Sequence, residues 1–146
     1  MTAQLPTTLE DWIEEAHLTV RRRCYRAAMA FDHENLDVYN VALDFLIEAD
    51  GVLERLPRGR GHLADQLTRA SISIVLNIAE GAGKYSGPDK RRYFLSALGS
   101  TTESAAVFDI LHRLKLIDDD GHRGAKAMLD RIAAMLVKLA KRHEQG

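Results

Sequence analysis

The sequence predicts an all-α protein: an antiparallel up-down four-helix bundle with an additional N-terminal helix. Apolar residues recur every three or four positions in five separate segments, which is the period of an amphipathic helix. No segment alternates apolar and polar residues over a useful length, so no strand is expected. The length of 146 residues suits a single compact domain.

Residues 1–30 are predicted to form an amphipathic helix that precedes a bundle domain at 31–146. Thr7 and Glu10 have the spacing of a capping box directly after Pro6. Acidic residues precede basic residues along the polar side, which is the order that the helix dipole favours. We expect this polar side to be solvated, and a partner-binding surface is the alternative.

The second helix is predicted from about Leu36 to Leu56, and it carries two apolar stripes. A helix that only covers a core needs a single apolar arc, so two stripes predict partners on both sides. One stripe contains Leu36, Tyr39, Leu43, Leu46 and Leu53, and the other contains Val38, Ala42, Phe45, Ala49, Val52 and Leu56.

The third helix is predicted from about His62 to Glu80, after a break made by one proline and two glycines at 57–61. The second half of this helix is apolar nearly all round. Buried helices have this pattern, so we expect the third helix to be the central and most buried one. Asn77 lies inside this apolar run, where an unpaired amide costs about 1–3 kcal/mol, so we expect it to bond a neighbouring helix or chain end.

Two further helices complete the predicted bundle. Gly81 and Gly83 end the third helix, and Ser86 and Pro88 start the fourth. The fourth helix concentrates small side chains in two turns, which allows a neighbouring helix to approach closely. An acidic turn with a glycine at 118–121 precedes the last helix, predicted at about 123–143, whose polar side carries a net charge of +5.

The composition limits the classes of partner. The chain has 20 Lys and Arg against 21 Asp and Glu, a net charge of −1, so no overall field attracts nucleic acid or an anionic membrane. Residues 61–146 alone carry +3, which leaves room for a local basic patch. A single cysteine, no secretory signal pattern and no uncharged apolar run of about 20 residues predict a cytoplasmic protein without a membrane span.

Enzyme and metal motifs are weak, and we predict no catalytic residue, no cofactor and no metal. Gly83 and Lys84 resemble a phosphate loop, but Ile78 and Tyr85 stand where that loop needs glycine and Ser or Thr. The six histidines include no pair at the i, i+4 spacing of a helical metal site, and we expect them to be scattered over the surface. Asp109 and His112 share a helical face, but no nucleophile accompanies them.

Two glutamates, Glu80 and Glu103, have a structural and a chemical interpretation. The structural one is a buried polar clamp that fixes the register of two helices. The chemical interpretation is a carboxylate site. Two carboxylates without a histidine ligand are weak evidence for metal binding. We favour the clamp.

A basic region surrounds the connection between the third and fourth helices, and a second one lies on the last helix. Basic residues interleaved with aromatic ones, here Tyr85 and Tyr93, can contact phosphates and stack on bases. A solvated loop is the alternative that the neutral total charge favours. The candidate nucleic-acid-binding residues are Lys84, Lys90, Arg91, Arg92, Arg123, Lys126, Arg131 and Lys138.

The segment from Ser71 to Gly81, with Asn-Ile-Ala-Glu-Gly at its end, and the Gly-Ser-x-x-Glu motif of the fourth helix resemble a known bacterial family. This is the four-helix-bundle family of proteins encoded in intervening sequences of 23S rRNA genes, which includes the accessory variability proteins of diversity-generating retroelements. The resemblance implies a homopentamer, often around a central channel. Accessory members bind nucleic acid and a reverse transcriptase through basic surfaces. The matching motif positions, taken as structural, are Asn77, Glu80, Gly81, Gly99, Ser100 and Glu103.

The sequence therefore predicts a non-enzymatic, homo-oligomeric scaffold or adaptor, with the number five implied by the resemblance alone. The alternative is an accessory protein that acts with RNA, DNA or a nucleic-acid enzyme through the basic loop and the last helix. A third hypothesis is an enzyme that uses Glu80, Glu103 or His112.

Overall fold

A computed structural model describes residues 31–144, and this part of the chain contains four α-helices and no strand. The predicted all-α class is confirmed for this part. The N-terminal helix predicted at residues 1–30 lies outside the described residues. A short 3-10 helix, Asp32–Asn35, is followed by α1 (Asp37–Glu54), α2 (Gly61–Ala82), α3 (Gly87–Arg113) and α4 (Asp119–Arg142).

Side-chain caps fix where the last two helices begin. The Ser86 hydroxyl accepts a hydrogen bond from the Asp89 amide at the start of α3, and Pro88 lies in the first turn. The Asp118 carboxylate accepts from the Gly121 amide at 2.7 Å. Because acidic side chains satisfy amides at a helix start and complement its dipole, the acidic run at 118–120 begins α4 earlier than we predicted.

The core forms where each helix presents one apolar face to the others. Phe45 of α1 and Phe108 of α3 are fully buried, with ring centroids 5.8 Å apart. The predicted second stripe of α1 is buried from Val38 to Val52, whereas the stripe that includes Tyr39 and Leu43 is only half-buried. One side of α1 therefore lies at the edge of the core.

The expectation that α2 is the most buried helix is confirmed for the described residues, because nine of its 22 residues are buried, the largest share among the four helices. Its apolar second half is nevertheless not enclosed on all sides. Leu67, Ile74 and Ile78 are fully buried, but the side chains of Ile72 and Leu76 are 40% and 61% exposed. The helix touches α1, α3 and the 3-10 helix, and these neighbours cover only part of its circumference. The outer apolar residues of α2 have no covering element among the described residues.

Contacts join each helix to the next in the chain, and they also join α1 to α4. Between α2 and α3, the pair Gln66 and Glu103 lies at one end, and Gly81 lies against Phe94 at the other. No two Cα atoms come within 8 Å between the helix pair α1 and α3, or between α2 and α4. Opposite sides of this helical unit are therefore formed by α1 and α3.

Candidate functional site

The largest aliphatic side chains left exposed on α1 and α2 form one surface, which we call the apolar face: Ile47, Ile72 and Leu76. Ile47 is 72% exposed, the highest value among these three residues. A shallow groove of about 360 Å³ runs between the two helices and is bordered by both isoleucines. The groove is lined by Leu46, Ile47, Asp50, Leu53, Thr68, Ser71 and Ile72.

A polar seam joins α2 to α3. The Asn77 amide donates to the backbone carbonyl of Ser73 at 2.8 Å and to its hydroxyl at 3.0 Å. That hydroxyl is 2.8 Å from the hydroxyl of Ser100 on α3. Asn77 is thus satisfied within its own helix and reaches α3 only through Ser73, in contrast to the direct bond to a neighbour that we expected.

The two candidate glutamates do not meet. Glu80 is exposed and pairs with Lys84 of the next turn at 2.7 Å, which raises the pKa of that lysine. Glu103 is exposed and accepts a hydrogen bond from Gln66 on α2. Glu103 therefore links two helices at the surface, where solvent screens the link, and it is not the buried clamp that we expected.

The two motif glycines have different surroundings. Gly81 is buried, and a Cβ atom added there would lie 3.0 Å from Tyr93 Cβ and from the Phe94 ring. Gly99 is exposed, and a Cβ atom added there would meet nothing within 4 Å. A close approach between α2 and α3 is therefore present at Gly81, which lies on α2. Among the small residues of the fourth helix that predicted a close approach, Ala97 and Ser104 are fully buried, whereas Gly99 faces no neighbour in the described chain.

The basic residues of the α2–α3 connection mostly contact the protein itself. The Lys90 ammonium donates to the carbonyl of Ala82 at 2.6 Å and so caps the end of α2. Arg91 pairs with Glu144 at 3.4 Å. Lys84 and Arg92 lie over the ring of Tyr93, at 4.9 and 5.1 Å from its centroid.

The basic residues of α4 are divided. Arg123 pairs with Asp120, and Lys126 with Asp109. Arg131 and Lys138 are exposed and form no ion pair in the part of the chain that the structure describes. These two are the candidate cations most available to a ligand.

Two histidines at the α3–α4 junction form a cluster that the sequence did not predict. The rings of His112 and His122 stack with centroids 4.3 Å apart and an interplanar angle of 11°. His112 bonds Asp119 at 2.6 Å and His122 bonds Asp109 at 2.7 Å, each through Nε2. These hydrogen bonds hold the pKa of both carboxyl groups below its usual range.

The stacked histidines border an open cavity of about 570 Å³. Asp109 pairs with His122 across two helices and does not pair with His112, its neighbour in sequence. Neither serine, threonine nor cysteine lines the cavity, so its side chains can transfer protons but include no hydroxyl or thiol nucleophile. Among residues 31–144, no group of three or more His, Cys, Asp or Glu side chains is arranged to hold a metal ion.

Within the described residues, none of the helices combines the length and the apolar character that crossing a membrane requires.

Comparisons with known proteins give one family and one fold. The family model described as 23S rRNA-intervening sequence protein matches residues 34–138. A crystal structure of a protein with unknown function from the S23 ribosomal protein family, from Bacteroides thetaiotaomicron VPI-5482, superimposes with a TM-score of 0.67 at 21% identity. The alignment covers 71% of this chain and 95% of that one. No curated protein matches this chain.

Proposed function

This chain belongs to the 23S rRNA-intervening sequence protein family, and from that premise we propose that it is a non-enzymatic homo-oligomer that serves as a scaffold or adaptor. The observation that carries the proposal is the apolar face. Large aliphatic side chains that are exposed together on one surface are typical of protein–protein contacts. We propose that a second copy of the same chain is the partner that buries the apolar face.

The proposed subunit is an antiparallel up-down four-helix bundle. Short connections between consecutive helices favour antiparallel neighbours. The paired ends of α2 and α3, with Gln66 against Glu103 and Gly81 against Phe94, support this arrangement. The contact between Asp109 and His122 near the α3–α4 turn supports it as well.

The apolar face holds unrealised burial energy. Complete burial of a large aliphatic side chain contributes about 1.5–3 kcal/mol. Ile47 and Leu76 are 72% and 61% exposed, so residues 31–144 of one copy realise less than half of that gain at each position. The proposed number of subunits, five, follows from the resemblance to pentameric family members.

The mass in solution tests this proposal. Size-exclusion chromatography with light scattering should give a wild-type mass several times the 16.3 kDa of one chain at micromolar concentration. Ile47→Asp should lower the mass to that of one chain. The matched control is Val137→Asp on α4, which also replaces a partly exposed aliphatic residue but lies outside the apolar face. A wild-type protein that runs as a single chain would refute the proposal.

A second candidate function is nucleic-acid binding, which one observation favours: Arg131 and Lys138 are exposed without carboxylate partners in the described chain. The retroelement accessory proteins that the sequence resembles bind RNA or DNA together with a reverse transcriptase. Tyr85 is fully exposed at the basic connection, where a base can stack on its ring.

Fluorescence anisotropy with a labelled RNA, measured across salt concentrations, tests this function. Each phosphate contact releases counterions, so affinity should fall steeply as salt rises. Arg131→Glu with Lys138→Glu should weaken binding and flatten the salt dependence. Lys115→Glu, an exposed charge outside α4, is the control. If the double variant binds as tightly as the wild type, this surface does not bind nucleic acid.

A further inference from the structure

We infer that the apolar face of one copy packs against the outer side of α3 of a second copy, so that two different surfaces meet at each subunit contact. This inference rests on the proposed homo-oligomer, and it specifies which surface of the neighbour covers the apolar face.

The outer side of α3 is an unpartnered helix surface with aliphatic ends. Leu95 and Ile110 are 39% and 45% exposed, and they lie four turns apart on the same side of the helix. Between them Gly99 and Ala106 are exposed and carry little or no side chain. No described helix covers this side, which we call the α3 face: Leu95, Gly99, Thr102, Ala106 and Ile110.

Charge selects the α3 face over a second copy of the apolar face. Between Asp37 and Glu54 the helix α1 carries five acidic residues and neither lysine nor arginine. Two apolar faces in contact would bring two such acidic helices together, which like-charge repulsion disfavours. The α3 face instead has exposed arginines near its two ends, Arg92 and Arg113. The two carboxylates beside this face are already bonded within the subunit, Glu103 to Gln66 and Asp109 to His122 and Lys126. Contact between α1 and α3 of different copies therefore pairs opposite charges.

The shapes of the apolar face and the α3 face also complement each other. Ile47 and Leu76 project from the apolar face, whereas Gly99 leaves the middle of the α3 face open, with no atom within 4 Å of an added Cβ. Packed helices approach to about 8–10 Å between axes, depending on the side chains at the contact. A glycine opposite bulky aliphatic side chains allows the closer distances. This gives Gly99 a role that no contact inside the described chain provides.

The positions of the two surfaces on one subunit determine the symmetry of the assembly. The backbones of α1, which carries Ile47 of the apolar face, and of α3 do not touch and lie on opposite sides of the helical unit. Each copy can therefore contact one neighbour through the apolar face and another through the α3 face. Contacts between two different surfaces repeat until a ring closes, whereas a surface that packs on itself ends at a dimer. Only the first kind of contact produces an odd number of subunits.

A mixing experiment on the full chain tests the inference. Ile47→Glu blocks the apolar face and leaves the α3 face intact, while Gly99→Glu does the reverse. Each variant alone should have the light-scattering mass of one chain. An equimolar mixture should give a dimer with one copy of each, because one intact surface remains on each partner and the assembly cannot extend. Gly124→Glu, at an exposed α4 glycine with equally open surroundings, should keep the wild-type mass.

The outcomes separate the inference from the proposed function. If Gly99→Glu keeps the wild-type mass, or if both variants are single chains whose mixture gives no dimer, the inference is overturned while the homo-oligomer stands. If the wild type itself is a single chain, the homo-oligomer fails. Leu76→Asp and Ile110→Asp form a second pair of variants for the same mixture. Circular dichroism confirms that each variant is helical before mixing.

Discussion

Replacement of Gly81 by alanine sets two effects of known size against each other. Gly81 is buried in the last turn of α2, where it faces the first turns of α3. Alanine favours a helix interior over glycine by about 1 kcal/mol, so Gly81→Ala gains stability from the backbone. The new Cβ atom would lie 3.0 Å from Tyr93 Cβ and 3.0 Å from Phe94 Cε1, closer than nine in ten real Cβ contacts.

The steric cost should exceed the gain. Tyr93 Cβ is attached to the α3 backbone and cannot rotate away, so α2 and α3 must separate by a few tenths of an ångström. Overpacking of this kind costs about 1–3 kcal/mol. We therefore expect Gly81→Ala to lower the free energy of unfolding by about 1 kcal/mol net, which corresponds to about 2–4 °C in melting temperature for a chain of this size.

Thermal and urea unfolding at one fixed protein concentration measure this difference, since assembly makes stability depend on concentration. Gly124→Ala is the control. Its Cβ atom meets nothing within 4 Å, so this variant should gain about 0.5–1 kcal/mol from helix propensity alone. If Gly81→Ala is as stable as Gly124→Ala, the close approach at Gly81 is not what requires glycine there.

Three further changes probe the core, a cap and an ion pair. Phe108→Ala should cost about 3–5 kcal/mol in a urea titration, because its fully buried ring leaves a cavity. Asp118→Ala should cost about 1 kcal/mol by the same assay, because the Gly121 amide loses its acceptor. His122 holds the pKa of Asp109 low, so that stabilisation is complete above about pH 5 and is lost at lower pH. Asp109→Asn should therefore lose less stability between pH 7 and pH 3 than the wild type.

The four described helices and the start of α3 could be predicted from the sequence, because local chemistry determines them. Ser86 and Pro88 gave the start of α3, and the cap geometry there agrees with that prediction. The second apolar stripe of α1 correctly predicted which side of that helix is buried, and Phe45 on this stripe is fully buried. Each of these features depends on residues within a few positions of one another.

The remaining features depend on which side of a helix its neighbours cover, and periodicity does not contain that information. Ile72 and Leu76 read as core residues because they are apolar, yet no described element covers them. The Asn77 amide donates to the carbonyl of Ser73, one turn earlier in the same helix. An amide in an apolar run therefore does not need a second helix to satisfy its hydrogen bonds. The stack of His112 on a histidine ten positions later depends on how α3 and α4 cross.

The central claim is that this chain assembles with itself through the apolar face. Sedimentation velocity of the wild-type chain and of Ile72→Asp with Leu76→Asp, at the same micromolar concentration, tests that claim most directly. We predict one wild-type species of about five times the 16.3 kDa chain and a double variant at the mass of one chain. A wild type and a double variant that sediment at the same mass would contradict the account.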